Sequence, residues 1–474
     1  MHEYGLLING QWTAPNGVAE VRSPFTGEPI YRISIAGEAE TRAAVDAAAN
    51  AFATWSQTPA HERSRLLHRA TALIEERKED MAHILAKEAG KPIRDARGEV
   101  SRAIQTFRFA AEEAKRLYGE TIPMDAAIGS EGRMGVTFRQ PIGVIAAISP
   151  FNFPLNLVAH KVAPALASAN TVVLKPATQT PVSALTLGEI LTDAGLPAGV
   201  FNVVVGSGGT VGEALVGSEK VAMVTFTGSP PVGVGIRNRA GMKKVILELG
   251  SNSATIVHED ADLALAARQL ARGAFAYAGQ ICISVQRILV HESVRQRFLS
   301  LFLPLVQALK VGDPLSEETD VGPMIDRSAA DRGMAWVREA LDGGARALVT
   351  GKQEGNLVWP WVLTDVNREM KIVCEEAFAP VVTIQTYQTF DEAIALVNDS
   401  QFGLQAGVFT NNLNLAFQAG RQIRTGGVIV NDTSNYRADH MPYGGLKLSG
   451  MGREGIRYTM EEMTEIKLVA FNLQ

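Results

Sequence analysis

From Gly143 onward, unbroken apolar runs of strand length alternate with helical segments. Val144-Ile145-Ala146-Ala147-Ile148 is such a run, followed by a helix from about Leu155 to Ala169 and then by Val172-Val173-Leu174. A strand without polar alternation has to be covered on both faces, and the strand-helix-strand succession joins parallel neighbours through a crossover. The alternation continues through a helix from about Val182 to Ala194, a strand Phe201 to Val205, a helix around Gly212 and a strand Ala222 to Phe226. It predicts an α/β fold, a parallel sheet with helices on both sides. After Gly250 a second α/β region follows, with a helix from about Asp260 to Tyr277, a strand Ile283 to Val290, a helix from about Val294 to Leu309, and further candidates as far as Asn431. The first forty residues read as short strands with a hairpin at Asn9-Gly10. Glu38 to about Tyr118 reads as a bundle of surface helices interrupted at Pro59 and Gly90-Lys91-Pro92. Two α/β domains meeting near residue 250 leave a crevice of the kind small molecules occupy.

Composition removes several classes of function. A net charge of -5 without basic runs gives no footprint for nucleic acid or an anionic membrane. The start of the chain lacks a basic stretch leading into an apolar run, and no apolar stretch is long enough to span a bilayer, so a soluble protein is expected. The two cysteines, Cys282 and Cys374, are too few for a disulfide framework, and neither they nor the eight histidines show metal-binding spacing. No metal is expected, and reduced thiols point to the cytoplasm.

The rarity of cysteine draws attention to Gly279-Gln280-Ile281-Cys282, about thirty residues after Leu247-Glu248-Leu249-Gly250. A thiol needs help to become a thiolate at neutral pH, and Glu248 is a candidate partner. Gly206-Ser207-Gly208-Gly209-Thr210-Val211-Gly212 lies between a strand and a helix like a dinucleotide fingerprint, with its third glycine one residue late; a tight turn explains these glycines equally well. Lys175 ends the second strand of the βαβ unit, where an acid selects a free ribose 2′-hydroxyl and a cation accommodates a 2′-phosphate. Phe226-Thr227-Gly228-Ser229 ends another strand before a helix, placing a hydroxyl and free N-H groups where a phosphate oxygen binds. In Ser149-Pro150-Phe151-Asn152-Phe153-Pro154, an amide follows a sheet strand directly, a position suited to an oxyanion donor.

Taken together, Pro150-Phe151-Asn152-Phe153-Pro154, Leu174-Lys175-Pro176, Phe226-Thr227-Gly228-Ser229, Leu247-Glu248-Leu249-Gly250, Gly279-Gln280-x-Cys282, Glu375-Glu376-Ala377-Phe378-Ala379-Pro380 and Pro442-Tyr443-Gly444-Gly445-Leu446-Lys447 resemble the aldehyde dehydrogenase superfamily, in the family's order and over essentially the whole chain. The resemblance implies Cys282 as nucleophile, Glu248 as general base of the hydrolytic step, and Asn152 with the Cys282 backbone N-H as oxyanion hole. It implies NADP or NAD as cofactor, with Lys175, Thr178, Ser149, Pro150, Phe151, Gly206, Phe226, Gly228, Ser229, Leu249, Glu376 and Phe378 as the cofactor set. Thr178 stands where the family commonly has a ribose acid, which favours NADP or dual use. Pro230-Pro231 replaces a usual polar pair after Ser229.

The resemblance further implies a Rossmann-like cofactor domain over 1–122 and 141–249 and a catalytic domain over 250–447. It implies assembly strands over 123–140 and 463–474, a return segment over 448–462, and a homo-oligomer, dimer or tetramer. Its substrate funnel suggests Arg437, Arg108 and His440 as holders of a hydroxylated or anionic short aldehyde, with Ile281 and Ile283 as its apolar wall, although Arg437 could equally be locked in an ion pair with Asp439 or another acid. Rival functions are transfer of the acyl group to CoA, a non-catalytic member of the fold, and a cysteine hydrolase.

Overall fold

The computed structural model describes residues 2–15 and 17–473. Met1, Asn16 and Gln474, which fall within the segments 1–122 and 463–474, lie outside the described residues.

Two open sheets make up most of the molecule. The first has the strand order Gly450–Met451, Lys244–Glu248, Val221–Thr227, Val144–Ile148, Thr171–Lys175, Phe201–Val203, Leu6–Ile8 and Gln11–Thr13. The strands from Lys244–Glu248 to Phe201–Val203 pair in parallel, and antiparallel strands close both edges. The hairpin near Asn9-Gly10 forms and extends the sheet, with Leu7 opposite both Trp12 and Val203. Val144–Ile148 and Thr171–Lys175 are buried along their whole length, as their continuous apolar pattern requires.

The second sheet runs Arg346–Val349, Trp361–Thr364, Val381–Tyr387, Arg287–His291, Ala254–Val257, Gln405–Phe409 and Gly427–Val430, parallel except for its first pair. The strand expected from Ile283 starts only at Arg287. Residues 283–286 are held out of it because the Ser284 and Val285 N-H groups donate to Ile281 and Gly273 carbonyls instead of to a strand. A third, three-stranded sheet pairs Thr464–Asn472 with Arg133–Pro141 along their full nine residues, with Thr121–Ile122 on the far side.

The segment read as surface helices forms Glu38–Trp55, Ala60–Glu76, Lys78–Ala89 and Ile93–Glu113. These do more than cover the surface. Helix Asn156–Ala167 is buried on every side beneath them, and two carboxylates reach inward from the layer to satisfy helix starts that have no solvent. Glu88 accepts from the Val182 and Ser183 N-H groups at 2.8 and 3.0 Å, at the start of helix Val182–Asp193. Glu99 accepts from Leu155 and Asn156, both at 3.0 Å, at the start of helix Asn156–Ala167. The hydrophobic core divides between the two large sheets, and a small cluster of Ala89, Tyr277, Ile281, Ile283, Leu404 and Tyr443 packs separately from both.

Glu88→Ala leaves two buried helix N-H groups without acceptors. It is expected to lower the free energy of unfolding by about 2–4 kcal/mol, measured by urea denaturation.

Candidate active site

The segments that carry chemistry converge because of strand direction. Ser149 to Asn152, Lys175, Ser229 and Glu248 all stand at the carboxyl ends of parallel strands of the first sheet, the edge where open α/β sheets bind ligands. Ser251, Cys282 and Glu376 precede strands of the second sheet and face that edge. Between them lies a cleft of about 910 Å³, lined by Asn152, Glu248 and Cys282 at one end and by the nucleotide-type segments along the rest.

The loop that carries Cys282 leaves helix Leu263–Phe275 through three successive left-handed residues, Tyr277, Ala278 and Gly279, at φ 49, 54 and 70°. A side chain at 279 would meet the Ala379 carbonyl at 2.3 Å, so glycine permits the close crossing of these two segments. The Asn152 amide donates to the Gln280 carbonyl at 2.9 Å, tying its loop to the one that carries Cys282. The Cys282 sulfur lies 3.0 Å from the Tyr443 hydroxyl. Burial pushes the Cys282 thiol up to about 11, with the Tyr443 hydrogen bond and the Arg437 charge opposing the rise.

Glu248 is buried, and among the described residues neither of its carboxylate oxygens has a hydrogen-bond partner. Burial, and then the Glu454 charge, raise its pKa well above the usual carboxylate range. A side chain at 444 would come within 2.9 Å of its Oε1, which reserves that position for glycine. Glu454, which sequence reading did not single out, accepts from Lys161 at 2.8 Å and Arg437 at 3.0 Å. Burial disfavours its charge, yet these two cations outweigh burial and hold it at about 2.

The cleft suits a dinucleotide. Among the described residues the buried Ser149 hydroxyl has no hydrogen-bond partner, and the ammonium of Lys175, also buried, donates only to the Pro176 carbonyl at 3.3 Å. Burial lowers Lys175 to about 8. Ser229 precedes helix Pro230–Arg239 without using its hydroxyl as a cap, and the two prolines that open this helix remove two N-H donors. Glu376 accepts from the Ser251 N-H at 3.0 Å, and burial raises it to about 7. Thr178, Pro150, Phe151, Phe226, Gly228, Leu249 and Phe378 also line the cleft. Gly206 does not. A side chain there would strike Val211 at 2.5 Å and the Ala36 carbonyl at 2.9 Å, so this glycine serves packing, and Gly208, Gly209 and Gly212 face the cleft instead.

The expected substrate residues are redistributed. Arg108 is half exposed and pairs with Glu75 at 3.5 Å; the helix turns Arg102, six residues earlier, toward the interior instead. Arg102 grips Asp439 through Nε and Nη2 at 3.2 and 2.8 Å, alongside Asn156 at 3.1 Å and His160 at 2.9 Å. Arg437 pairs with Glu454 rather than Asp439, and stacks 3.7 Å over the Tyr443 ring with its Nε unpartnered. His440 is exposed against Phe109, and Ile281 and Ile283 are buried in the small cluster rather than lining the cleft. Arg102 was missed because its partners lie hundreds of residues away, and nothing local distinguishes it from the other arginines of its helix.

A sheet-end cleft built in this way belongs to an NAD(P)-dependent oxidoreductase. The chain is a member of the aldehyde dehydrogenase family, whose family model matches residues 12–469. It is 49% identical over 472 residues to the 3-sulfolactaldehyde dehydrogenase of Priestia aryabhattai, spanning 99% of this chain and 98% of that one. It is 41% identical over 468 residues to the lactaldehyde dehydrogenase of Methanocaldococcus jannaschii, covering 98% and 99%. Among solved structures, aldehyde dehydrogenase 21 of Physcomitrella patens in complex with the reaction product succinate superposes with a TM-score of 0.97 at 41% identity, covering 99% and 98%. The NADP-dependent glyceraldehyde-3-phosphate dehydrogenase of Bacillus halodurans complexed with NADP also gives 0.97, at 39% identity and full coverage of both chains. Among the described residues no helix is long and apolar enough to cross a membrane, and no cluster of acidic, histidine and cysteine side chains is placed to hold a metal.

Glu248→Gln is expected to leave a stoichiometric burst of reduced cofactor while slowing steady turnover about a hundredfold or more. In the parent protein, steady turnover should rise with pH as Glu248 gives up its proton, and the variant should lose that rise. Stopped-flow absorbance at 340 nm, followed across pH, reads both.

Proposed function

We propose that this protein oxidises a short α-hydroxy aldehyde bearing a strong anionic group, 3-sulfolactaldehyde foremost, to the carboxylic acid with NADP or NAD. The likeness to a 3-sulfolactaldehyde dehydrogenase, 49% identical over 472 residues, carries this reading. Arg102, whose Nε and Nη2 hold Asp439, lies 5.9 Å from the ring of Phe153, the neighbour of Asn152, and an arginine fork suits a sulfonate.

In this mechanism the Cys282 sulfur attacks the aldehyde carbon, and the alkoxide that forms is held by the second N-H of the Asn152 amide and the Cys282 backbone N-H. Lys175, Thr178, Ser149, Ser229 and Glu376 would hold the dinucleotide in the cleft, and its nicotinamide would accept the hydride that leaves the aldehyde carbon as the thioester forms. Glu248, once ionised, takes a proton from water as the water oxygen attacks the thioester carbon, and the Cys282 sulfur leaves with the bonding electrons. Hydrolysis rather than transfer to CoA follows from a base held at this position.

Thr178 and Lys175 favour the 2′-phosphate of NADP. We further infer a homo-oligomer, a dimer or tetramer, joined through the ribbon of Arg133–Pro141 and Thr464–Asn472, which exposes Phe138, Ile466, Leu468 and Phe471. A cytoplasmic setting that keeps both thiols reduced suits the chemistry.

The deciding experiment is an aldehyde panel assayed with both cofactors and without CoA. 3-Sulfolactaldehyde should give the highest kcat/KM, and equal use of lactaldehyde, which lacks the sulfonate, would sink the sulfonate reading. Arg102→Ala should raise KM about thirtyfold or more for the sulfonated aldehyde and only slightly for lactaldehyde. Because Lys175 binds phosphate only as a cation, KM for NADP should climb as pH passes about 8, while KM for NAD stays flat.

A further inference from the structure

Among the described residues, the only hydrogen-bond partner of the Cys282 sulfur is the Tyr443 hydroxyl. The phenol is fixed from three sides. Its backbone pairs with that of Glu454 in both directions, at 3.0 and 2.7 Å, and its ring sits in the small cluster with Tyr277, Ile281 and Leu404. The Arg437 guanidinium lies 3.7 Å over the ring and is itself held by Glu454. A cation on the face of a phenol draws charge from the ring and makes its O-H a stronger donor.

We propose that Tyr443 is a further catalytic residue, whose hydroxyl donates a hydrogen bond to the Cys282 sulfur and favours the thiolate, with Arg437 positioning and polarising it. The proposal rests on Cys282 being the nucleophile. The charged and titratable groups near the sulfur are Tyr443, Arg437, Glu376 and Glu248. The two carboxyl groups oppose a thiolate when ionised, so support comes from Arg437 and the phenol. Burial, and then the neighbouring Cys282, push the ionisation of Tyr443 well above its ordinary range. The phenol therefore keeps its proton throughout and acts as a donor, never as the base. The same donation assists the second half-reaction, because a stabilised thiolate is a better leaving group when water attacks the thioester.

The test is the pH dependence of alkylation by iodoacetamide, in a Cys374→Ser background with Cys282→Ser as the blank. Tyr443→Phe keeps the ring beneath Arg437 and removes only the hydroxyl. Its rate profile should move upward by about one pH unit. Below the midpoint, alkylation should be about threefold slower, since a tenfold smaller thiolate fraction is partly offset by a more nucleophilic thiolate. Placing 3-fluorotyrosine, a more acidic phenol, at position 443 should move the profile the other way. A Tyr443→Phe profile that superimposes on the parent, or one uniformly slower without displacement along the pH axis, would overturn the proposal. Survival of aldehyde turnover in Cys282→Ser would instead refute the nucleophile assignment, and is read separately from the alkylation profile.

Discussion

The active site is organised around one buried carboxylate, Glu454, and the two cations that share it. Lys161 comes from the helix that follows the Asn152 loop and also donates to the Thr225 and Thr227 hydroxyls at 3.3 and 2.7 Å, which ties that helix to the first sheet. Arg437 comes from the loop after the last strand of the second sheet. Charges this deep are tolerated only when fully paired, so loss of any member strands the others. Their arrangement also shapes the site: the Glu454 charge adds to burial in raising the nearby Glu248 above the usual carboxylate range, and the Arg437 it anchors lies on the ring whose hydroxyl meets the sulfur.

The outer helical layer fixes the loop carrying Asn152 and the loop carrying Cys282 relative to each other. Lys91 pairs with Glu99 and places its ammonium 3.6 Å over the Phe153 ring and 4.7 Å over the Tyr277 ring. Phe153 is the neighbour of Asn152, and Tyr277 begins the left-handed run before Cys282, its hydroxyl donating to the Ala89 carbonyl at 2.7 Å. One cation thus bridges the loop that carries Asn152 and the loop that carries Cys282, while Glu99 caps the helix following the first of them.

Legibility in the sequence followed the range of the interaction. Elements governed by local periodicity, such as Val144–Ile148 and the helix opened by Asp262, lie close to where pattern and capping chemistry predict them. The late start of the strand at Arg287 depends on hydrogen bonds back to Gly273, which no local pattern shows. Cys282, Glu248 and Asn152 stood out because each sits in a break between elements where a side chain can project. Arg102, Glu454 and the Tyr443 hydroxyl did not, since each acquires its meaning from a partner on another element: Asp439, Lys161 and the Cys282 sulfur. Arg108 and Arg102 differ only in which side of one helix they occupy, and that depends on how the helix is rotated in its packing.

The return of the chain to the first sheet has a consequence for biosynthesis. The edge strand Gly450–Met451, the neighbour of Glu248, and Glu454 itself are translated after every other residue of the cleft. Until they emerge from the ribosome, Lys161 and Arg437 have no carboxylate to share, Glu248 feels no adjacent negative charge, and the backbone pairing that seats Tyr443 is missing. The ion cluster around Glu454 and the backbone seat of Tyr443 are therefore complete only once residues 450–454 are in place.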